Sequence, residues 1–452
     1  MGKKFICSTL VSLTVLLTNI NAGSVLSGTS NTATGNKAVV SGGYKNHASG
    51  YMSTISGGRE GSTIGDYATV SGGYLNNTDG YMALIAGGRE NLVLGSYAAI
   101  LGGYKNSVDG TSSTIIGGSN NKIYTLNPSF KPSFSIIGGG KENNIVGLAV
   151  NAIIGGGSNN TIDEASHSII SAGAFNTIQR ESGYAVLAGG GYNSINGTNN
   201  TISGGSENNN SARSGSVIGG GTNNKIESGI SNIITGGREN IIKTGENSVI
   251  VGGHYNILNG FNSLVAGNSV TVDADSAVGI GENILVSHLG SWVIGDSTGT
   301  TTNKPERASE IENRFHAYFE NGYKLYTTSD NSSNSGVYLN AGDSAWNSLS
   351  DKNSKENYKK VNKQEILNKL VAMPIEEWNY ISQDDKIRHI GPYAQDFNRA
   401  YHLGDGKLTI STIDADGIAL VSLQALAERN KNLEAKVEAL EARLKRLELF
   451  LK

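Results

Sequence analysis

Ser350 and Lys355 are the pair of residues in this chain whose types and spacing suit them best to joint chemistry. A serine hydroxyl is a poor nucleophile until a base takes its proton, and lysine is a base only when neutral. A free lysine holds its proton up to about pH 10.4, so burial or nearby positive charge must help to remove it. Spacing adds a constraint. Residues five apart lie about 140° apart on a helix and on opposite faces of a strand. The two side chains meet only if Asp351-Lys352-Asn353-Ser354 bends between them, and these are turn formers. Taken alone, the six-residue pattern is a weak signal that describes a solvated turn better than a site.

Other chemistries find less support. His47, His167, His254 and His288 are scattered singly, without metal-ligand spacing. The only cysteine is Cys7, so no disulfide framework is available. No metal and no cofactor is expected. A net charge of −3 offers no basic footprint for nucleic acid. Glycosidase chemistry needs a carboxylate pair, and none repeats here, although two acids distant in sequence could still meet.

The elements around Ser350 are not repetitive. Downstream, the pattern predicts a helix over Lys363–Ala372, stopped by Pro374, and a strand at Trp378-Asn379-Tyr380. A block from Arg388 to Phe397 follows; its His389 either assists the Ser–Lys pair or packs. Thr409–Gly417 then leads into a long helix. There Leu426, Leu433, Leu440 and Leu447 recur every seven residues, and Leu423, Asn430, Val437, Leu444 and Leu451 take the other seam position. Arg429, Lys436 and Arg443 each precede an acidic residue by five, the spacing of interchain ion pairs in parallel coiled coils. Upstream, a polar linker at Asp296–Asn303 precedes strands at Arg314–Phe319 and Tyr323–Tyr326, a turn at Asp330–Gly336, and a strand at Val337–Leu339.

Everything before that linker follows one rhythm. Glycine pairs stand at 42–43, 57–58, 72–73, 87–88, 102–103 and 117–118, always 15 residues apart. The next residue alternates as Tyr44, Arg59, Tyr74, Arg89, Tyr104, so the true unit is 30 residues. Each pair follows a β-branched stretch such as Thr69-Val70 and precedes an Asn-rich turn such as Asn76-Asn77. A fixed short period of this kind predicts a solenoid, with strands of four or five residues and corners made by Gly and Asn in the left-handed region. The calcium-binding nonapeptide variant is excluded, because its Asp after the glycines is missing. Prolines would break the ladder, and Pro128 and Pro132 both lie in the insertion Lys122–Ser135. That insertion, with Tyr124, Phe130, Lys131 and Phe134, is a candidate contact loop. Tyr51, Tyr67, Tyr81 and Tyr97 recur once per turn as a ladder that either packs or presents a glycan- or protein-binding strip.

At the N-terminus, Lys3-Lys4 precede an apolar run from Phe5 to Leu17 and small residues to Ala22. This predicts a secretory signal cleaved after Ala22; the run is too short for a membrane helix, which needs about 20 residues. No membrane-spanning segment is expected in the mature chain, and the mature protein is expected outside the cell or at its surface.

Two resemblances give these patterns a meaning. The alternation of an Ala/Ser-x-Val/Ile-x-Gly strand with an Asn-x-x-x-Gly corner, over about 255 residues, resembles the head repeats of trimeric autotransporter adhesins. That implies a left-handed parallel β-roll assembled as a trimer. The Ser350–Lys355 motif, the helix, the Arg388–Phe397 block and the final helix resemble, in order, the self-cleaving intramolecular chaperone of endosialidase tail spikes. This resemblance implies that Ser350 is nucleophile and first residue of the released fragment, that Lys355 is its base, and that the scissile bond is Leu349-Ser350; Asp351 and His389 are supporting candidates.

The expected protein is mainly β. It comprises a signal at 1–22, a solenoid at 23–297, a connector at 298–349 and an α+β chaperone domain at 350–452 that ends in a parallel, trimeric coiled coil at 420–451. The expected function is that of a secreted homotrimeric, adhesin-like fibre matured by one autoproteolytic cut, with the chain itself as partner and a cell-surface glycan or protein as a further one. The alternative is a phage-type tail fibre or a glycan-binding or glycan-cleaving spike with the same maturation.

Overall fold

A computed structural model describes residues 23–296, 307–326, 336–404 and 406–451. The expected secretory signal, most of the polar linker and most of the turn before Gly336 lie outside the described residues. The described residues form two compact units, one of those up to 323 with 339–345 and one of those from 324 to 338 with those from 346 on.

The first unit is a parallel β-solenoid of about 18 turns. One column of strands holds Val39–Val40, Thr54–Ile55, Thr69–Val70 and Leu84–Ile85; the other holds His47–Ala48, Ser62–Thr63, Asn77–Thr78 and Leu92–Val93. Every strand pairs in parallel with its counterpart one turn on, as Thr54 does with Thr69 and Ile55 with Val70. From Val39 to Leu258 the first residue of a strand faces outward and the second is buried. Ile55, Ile85, Ile100 and Ile115 thus stack in one continuous apolar core.

Most strands are two residues long, shorter than the sequence predicts, because two left-handed corners occupy the rest of each turn. One corner is built at Gly73 (φ 94°) and Leu75 (φ 55°), the other at Met82 (φ 51°). A Cβ on Gly73 would lie 2.1 Å from the Gly88 carbonyl oxygen, so only glycine fits. Leu75 and Met82 are strained by their left-handed backbone, but each N–H donates to the turn before, Leu75 to Arg59 O at 2.9 Å and Met82 to Asp66 O at 2.9 Å.

Asparagine has two places: Asn120, Asn159 and Asn223 take left-handed corners, with φ 56°, 56° and 53°, as its turn-forming tendency predicts, and a second set lies inside. Asn46, Asn76, Asn91, Asn106 and Asn121 are buried and form a ladder through the core. The Asn76 Nδ2 donates to Gly72 O at 2.8 Å and Gly88 O at 2.9 Å, while its Oδ1 accepts the Asn91 N–H at 3.1 Å. Gly88 O also accepts the Tyr74 N–H at 3.0 Å, whereas Gly72 O lies off the backbone ladder and needs a donor from elsewhere. The asparagine amide supplies it, and so bonds two turns at once.

Towards its end the solenoid changes. Where the pairs decay to Ala266-Gly267 and Gly279-Ile280-Gly281, the corner opens and the columns merge into the nine-residue strands Leu264–Val272 and Val278–Val286. Two strands beyond the last glycine corner, Arg307–Ala308 and Phe315–Tyr318, continue the parallel stack.

The second unit contains all but the end residues Tyr323 and Leu339 of a sheet formed by Tyr323–Tyr326, Gly336–Leu339 and Asn347–Ser348, and three helices. Helix α1, Lys363–Ala372, is capped by Asn362, whose side chain accepts the Glu365 N–H at 3.2 Å, and it ends before Pro374. A hairpin pairs Glu376–Trp378 with His389–Gly391; its first strand lies two residues earlier than the sequence predicts. Helix α2, Ala394–Tyr401, stops at His402, which is left-handed. Helix α3, Thr412–Phe450, runs for 39 residues. Met373, Phe397 and Ile418 bring α1, α2 and α3 into one small core, with Ile366, Leu370 and Tyr401 around it.

Candidate functional site

The chain approaches Ser350 as a strand and leaves it as a turn. Asn347 and Ser348 pair antiparallel with Tyr338 and Val337, and the Leu349 N–H donates to Gly336 O at 3.2 Å. Strand pairing therefore holds the chain up to the peptide that joins Leu349 to Ser350. Asp351 then caps a single 3-10 turn at Lys352–Ser354, its Oδ1 accepting the Asn353 N–H at 2.9 Å. The Ser354 hydroxyl donates to Asp351 O at 2.9 Å, and the Lys355 N–H donates to Lys352 O at 3.1 Å.

This is the bend that the spacing demands. It brings the Lys355 Nζ onto the Ser350 Oγ, to which it donates a hydrogen bond. A hydroxyl and an amine so placed can exchange the proton that limits a serine nucleophile. Both residues are exposed in the single chain.

Tyr358 was not legible as part of this site. Its hydroxyl lies within hydrogen-bond reach of two carbonyls in the turn, Lys352 O and Lys355 O, the latter at 2.8 Å, and shares its one proton between them. An aromatic residue three positions after the lysine was the only signal in the sequence. His389 stands elsewhere: its Nε2 is 2.9 Å from Gln383 Oε1 and its ring packs on Trp378, with centroids 4.9 Å apart. Among the described residues, no group of three or more His, Cys, Asp or Glu side chains is placed to hold a metal, and no helix is long and apolar enough to cross a membrane.

The solenoid candidates separate. Tyr51, Tyr67, Tyr81 and Tyr97 form an edge-to-face ladder with centroids 5.4, 5.6 and 5.5 Å apart. At the opposite corner of the repeat, Arg59 and Arg89 stack between Tyr44, Tyr74 and Tyr104 at 5.4 to 5.5 Å. Of the contact-loop residues, Tyr124 and Phe130 line a cleft. Lys131 is paired with Asp109 at 2.7 Å, and Phe134 is an exposed corner residue with φ 53°.

Residues 350–402 match a family model, Peptidase S74, described as the chaperone of endosialidase. The match starts at Ser350 and takes in the turn, α1, the hairpin and α2. The C-terminal region is thus an intramolecular chaperone domain of the endosialidase type. A search of curated proteins finds no match to the chain.

Proposed function

We propose that the protein is a secreted, homotrimeric, adhesin-like fibre whose chaperone domain gathers three chains in register and then removes itself by one cut at Leu349-Ser350. The observation that carries this reading is the hydrogen bond from Lys355 to Ser350 at the first residues of the family match. Secretion rests on the charged and apolar N-terminal sequence.

The reaction balances without a cofactor. The Ser350 Oγ attacks the Leu349 carbonyl carbon while the neutral Lys355 amine takes the hydroxyl proton. The C–N bond breaks as that proton passes to the Ser350 nitrogen, leaving Leu349 as an ester on Oγ. Water hydrolyses the ester to a Leu349 carboxylate and a fragment that begins with free Ser350. The exposure of Lys355 in one chain is the reason for placing the reaction after assembly: neighbouring copies would supply the burial that favours the neutral amine.

Two surfaces support a multimer. Along α3 the seam leucines are open, Leu433 at 48% and Leu440 at 63% exposure. On the solenoid, Ile136, Ile153, Ile169, Val186, Thr201, Val217 and Ile233 occupy successive outward positions of one strand column, all but Thr201 apolar. Close by in sequence, Gly139, Gly156, Gly204 and Gly236 have nothing within 4 Å of a notional Cβ. Their bareness has no use within one chain and suits close approach by another.

Expression of the wild type beside Ser350→Ala and Lys355→Ala, with denatured chain length and N-terminal sequencing, tests the reading. The wild type should yield a fragment starting at Ser350 and both variants should stay intact. A wild type that remains full length overturns self-cleavage, and a different new N-terminus overturns the assignment of Ser350.

A further inference from the structure

An insertion in the regular solenoid builds a cleft. Neighbouring turns pair residues 15 apart, as Ala99 with Thr114, but Thr114 pairs with Ile136, 22 residues on. The surplus chain leaves the stack after Tyr124 and returns at Ser133, which bridges Thr111 below and Val150 above. The loop between is fastened. Lys131 reaches down to Asp109 at 2.7 Å, Asn127 accepts the Ser129 N–H at 3.0 Å, and the Phe130 N–H closes a turn on Asn127 O at 2.9 Å. Between this loop and the outer face of the following turns lies a space of about 850 Å³.

The stacking register decides what faces that space. Tyr124 is the outward third residue of its strand; Val146 pairs with it one turn on, and Asp163 pairs with Val146 one turn further. A ring, an aliphatic side chain and a carboxylate therefore stand in a column, with the Phe130 ring facing from the loop. On the far wall the Glu164 carboxylate is neutralised by Arg180 at 3.1 Å. Gln179 donates to Ser194 Oγ at 2.8 Å and keeps its carbonyl oxygen free to accept. Asp163 has no ion-pair or side-chain hydrogen-bond partner among the described residues. One uncompensated negative charge and an excess of acceptors thus sit beside two aromatic rings.

We propose that this cleft is a binding subsite for a neutral pyranose of a glycan. Pockets of about 300–1,000 Å³ with aromatic walls and a few placed polar groups are the usual form of a small-molecule site. A pyranose has an apolar C–H face, which suits Tyr124 and Phe130, and a rim of hydroxyl donors, which suits Asp163 and Gln179, groups that accept. The uncompensated Asp163 charge repels sialylated, sulfated or uronic acid sugars. The site lies on the second strand column, apart from the apolar stripe of Ile136 and Ile153, so copies packed on that stripe leave it open. The inference rests on reading the solenoid as an adhesin-like head, and it does not require cleavage.

The test uses the full chain carrying Ser350→Ala, so that loss of binding and loss of cleavage are read separately. It is applied to an array of neutral hexose and N-acetylhexosamine oligosaccharides beside sialylated and sulfated ones, and to an array of peptides. Neutral glycans should be retained, at least tenfold more weakly by Asp163→Asn and Tyr124→Ala, and unchanged by Tyr124→Phe and by the ladder variant Tyr81→Ala. Circular dichroism checks that each variant keeps the solenoid. The proposal is overturned by preference for anionic glycans or peptides, by absence of binding to neutral glycans, or by undiminished binding in folded Asp163→Asn and Tyr124→Ala.

Discussion

The Lys355 Nζ donates to the Ser350 Oγ across a turn whose carbonyls at 352 and 355 are both met by the hydroxyl of Tyr358. The pair depends on the bend, and Tyr358 holds the bend without touching the reacting groups. It is a positioning residue. Tyr358→Phe should leave the fold intact and slow the appearance of the fragment about two- to tenfold, the effect of one hydrogen bond of about 0.5–1.5 kcal/mol on a barrier. Time courses on denaturing gels measure it. An unchanged rate means the turn is held by Asp351 and the backbone alone.

The two glycines of each corner do different work. Gly157 has φ 86°, and its notional Cβ lies 2.0 Å from Gly173 O, whereas that of Gly156 meets nothing within 4 Å. Gly157→Ala should lower the melting temperature, at a cost of about 1–3 kcal/mol or more from backbone strain and overlap. Gly156→Val should leave single-chain folding unaffected and weaken association. Thermal denaturation and sedimentation separate the two effects.

This division explains how much could be read in advance. The period was legible because sterics leave no choice at Gly73, and α1 was legible from its Asn cap, its apolar spacing and Pro374. The asparagine ladder was hidden by chemistry: Asn91 suits a left-handed corner as well as a buried amide, and the corner itself falls on Glu90, with φ 59°. Nothing in glutamate's type announces a left-handed backbone; the bond from its N–H to Tyr74 O, at 2.8 Å, compensates it. The Ser350–Lys355 pair was legible from turn formers at a spacing that forces a bend. The column of Tyr124, Val146 and Asp163 was not, because it exists only once three turns of unequal length are stacked.

The ladder carries its own prediction. Asn91 Nδ2 donates to Gly87 O and Gly103 O, each at 3.1 Å, and its Oδ1 accepts the Asn106 N–H at 3.0 Å. Asn91→Leu fills the space but leaves the Gly87 carbonyl and the Asn106 N–H without their partner, at about 1–3 kcal/mol each, while Gly103 O keeps the Arg89 N–H at 2.9 Å. Gly61 shows the natural limit: it accepts its place in the ladder by donating to Asn46 Oδ1 at 2.9 Å, with no amide to pass on. Asn91→Leu should therefore lower the melting temperature more than Asn91→Gly despite burying more apolar surface. The reverse order would mean that packing outweighs the polar ladder.

The open seam of α3 links assembly to cleavage. Leu433, Leu440 and Leu447 repeat along a helix of about 58 Å, given about 1.5 Å per residue over its 39 residues, and all three are exposed in one chain. Exposed leucines at seam spacing gain burial only from other helices, each worth about 1.5–3 kcal/mol. Leu433→Glu with Leu440→Glu places like charges across a symmetric interface and should abolish association, seen as a single-chain mass in sedimentation. If Lys355 becomes neutral only when neighbouring copies bury it, this double variant should also remain uncut, although Ser350, Lys355 and Tyr358 are untouched. Association without cleavage in Lys355→Ala, and neither in the seam variant, places assembly first. A seam variant that stays single-chain yet cuts at the wild-type rate shows that the turn alone activates Ser350, and it removes the reason for coupling the cut to the trimer.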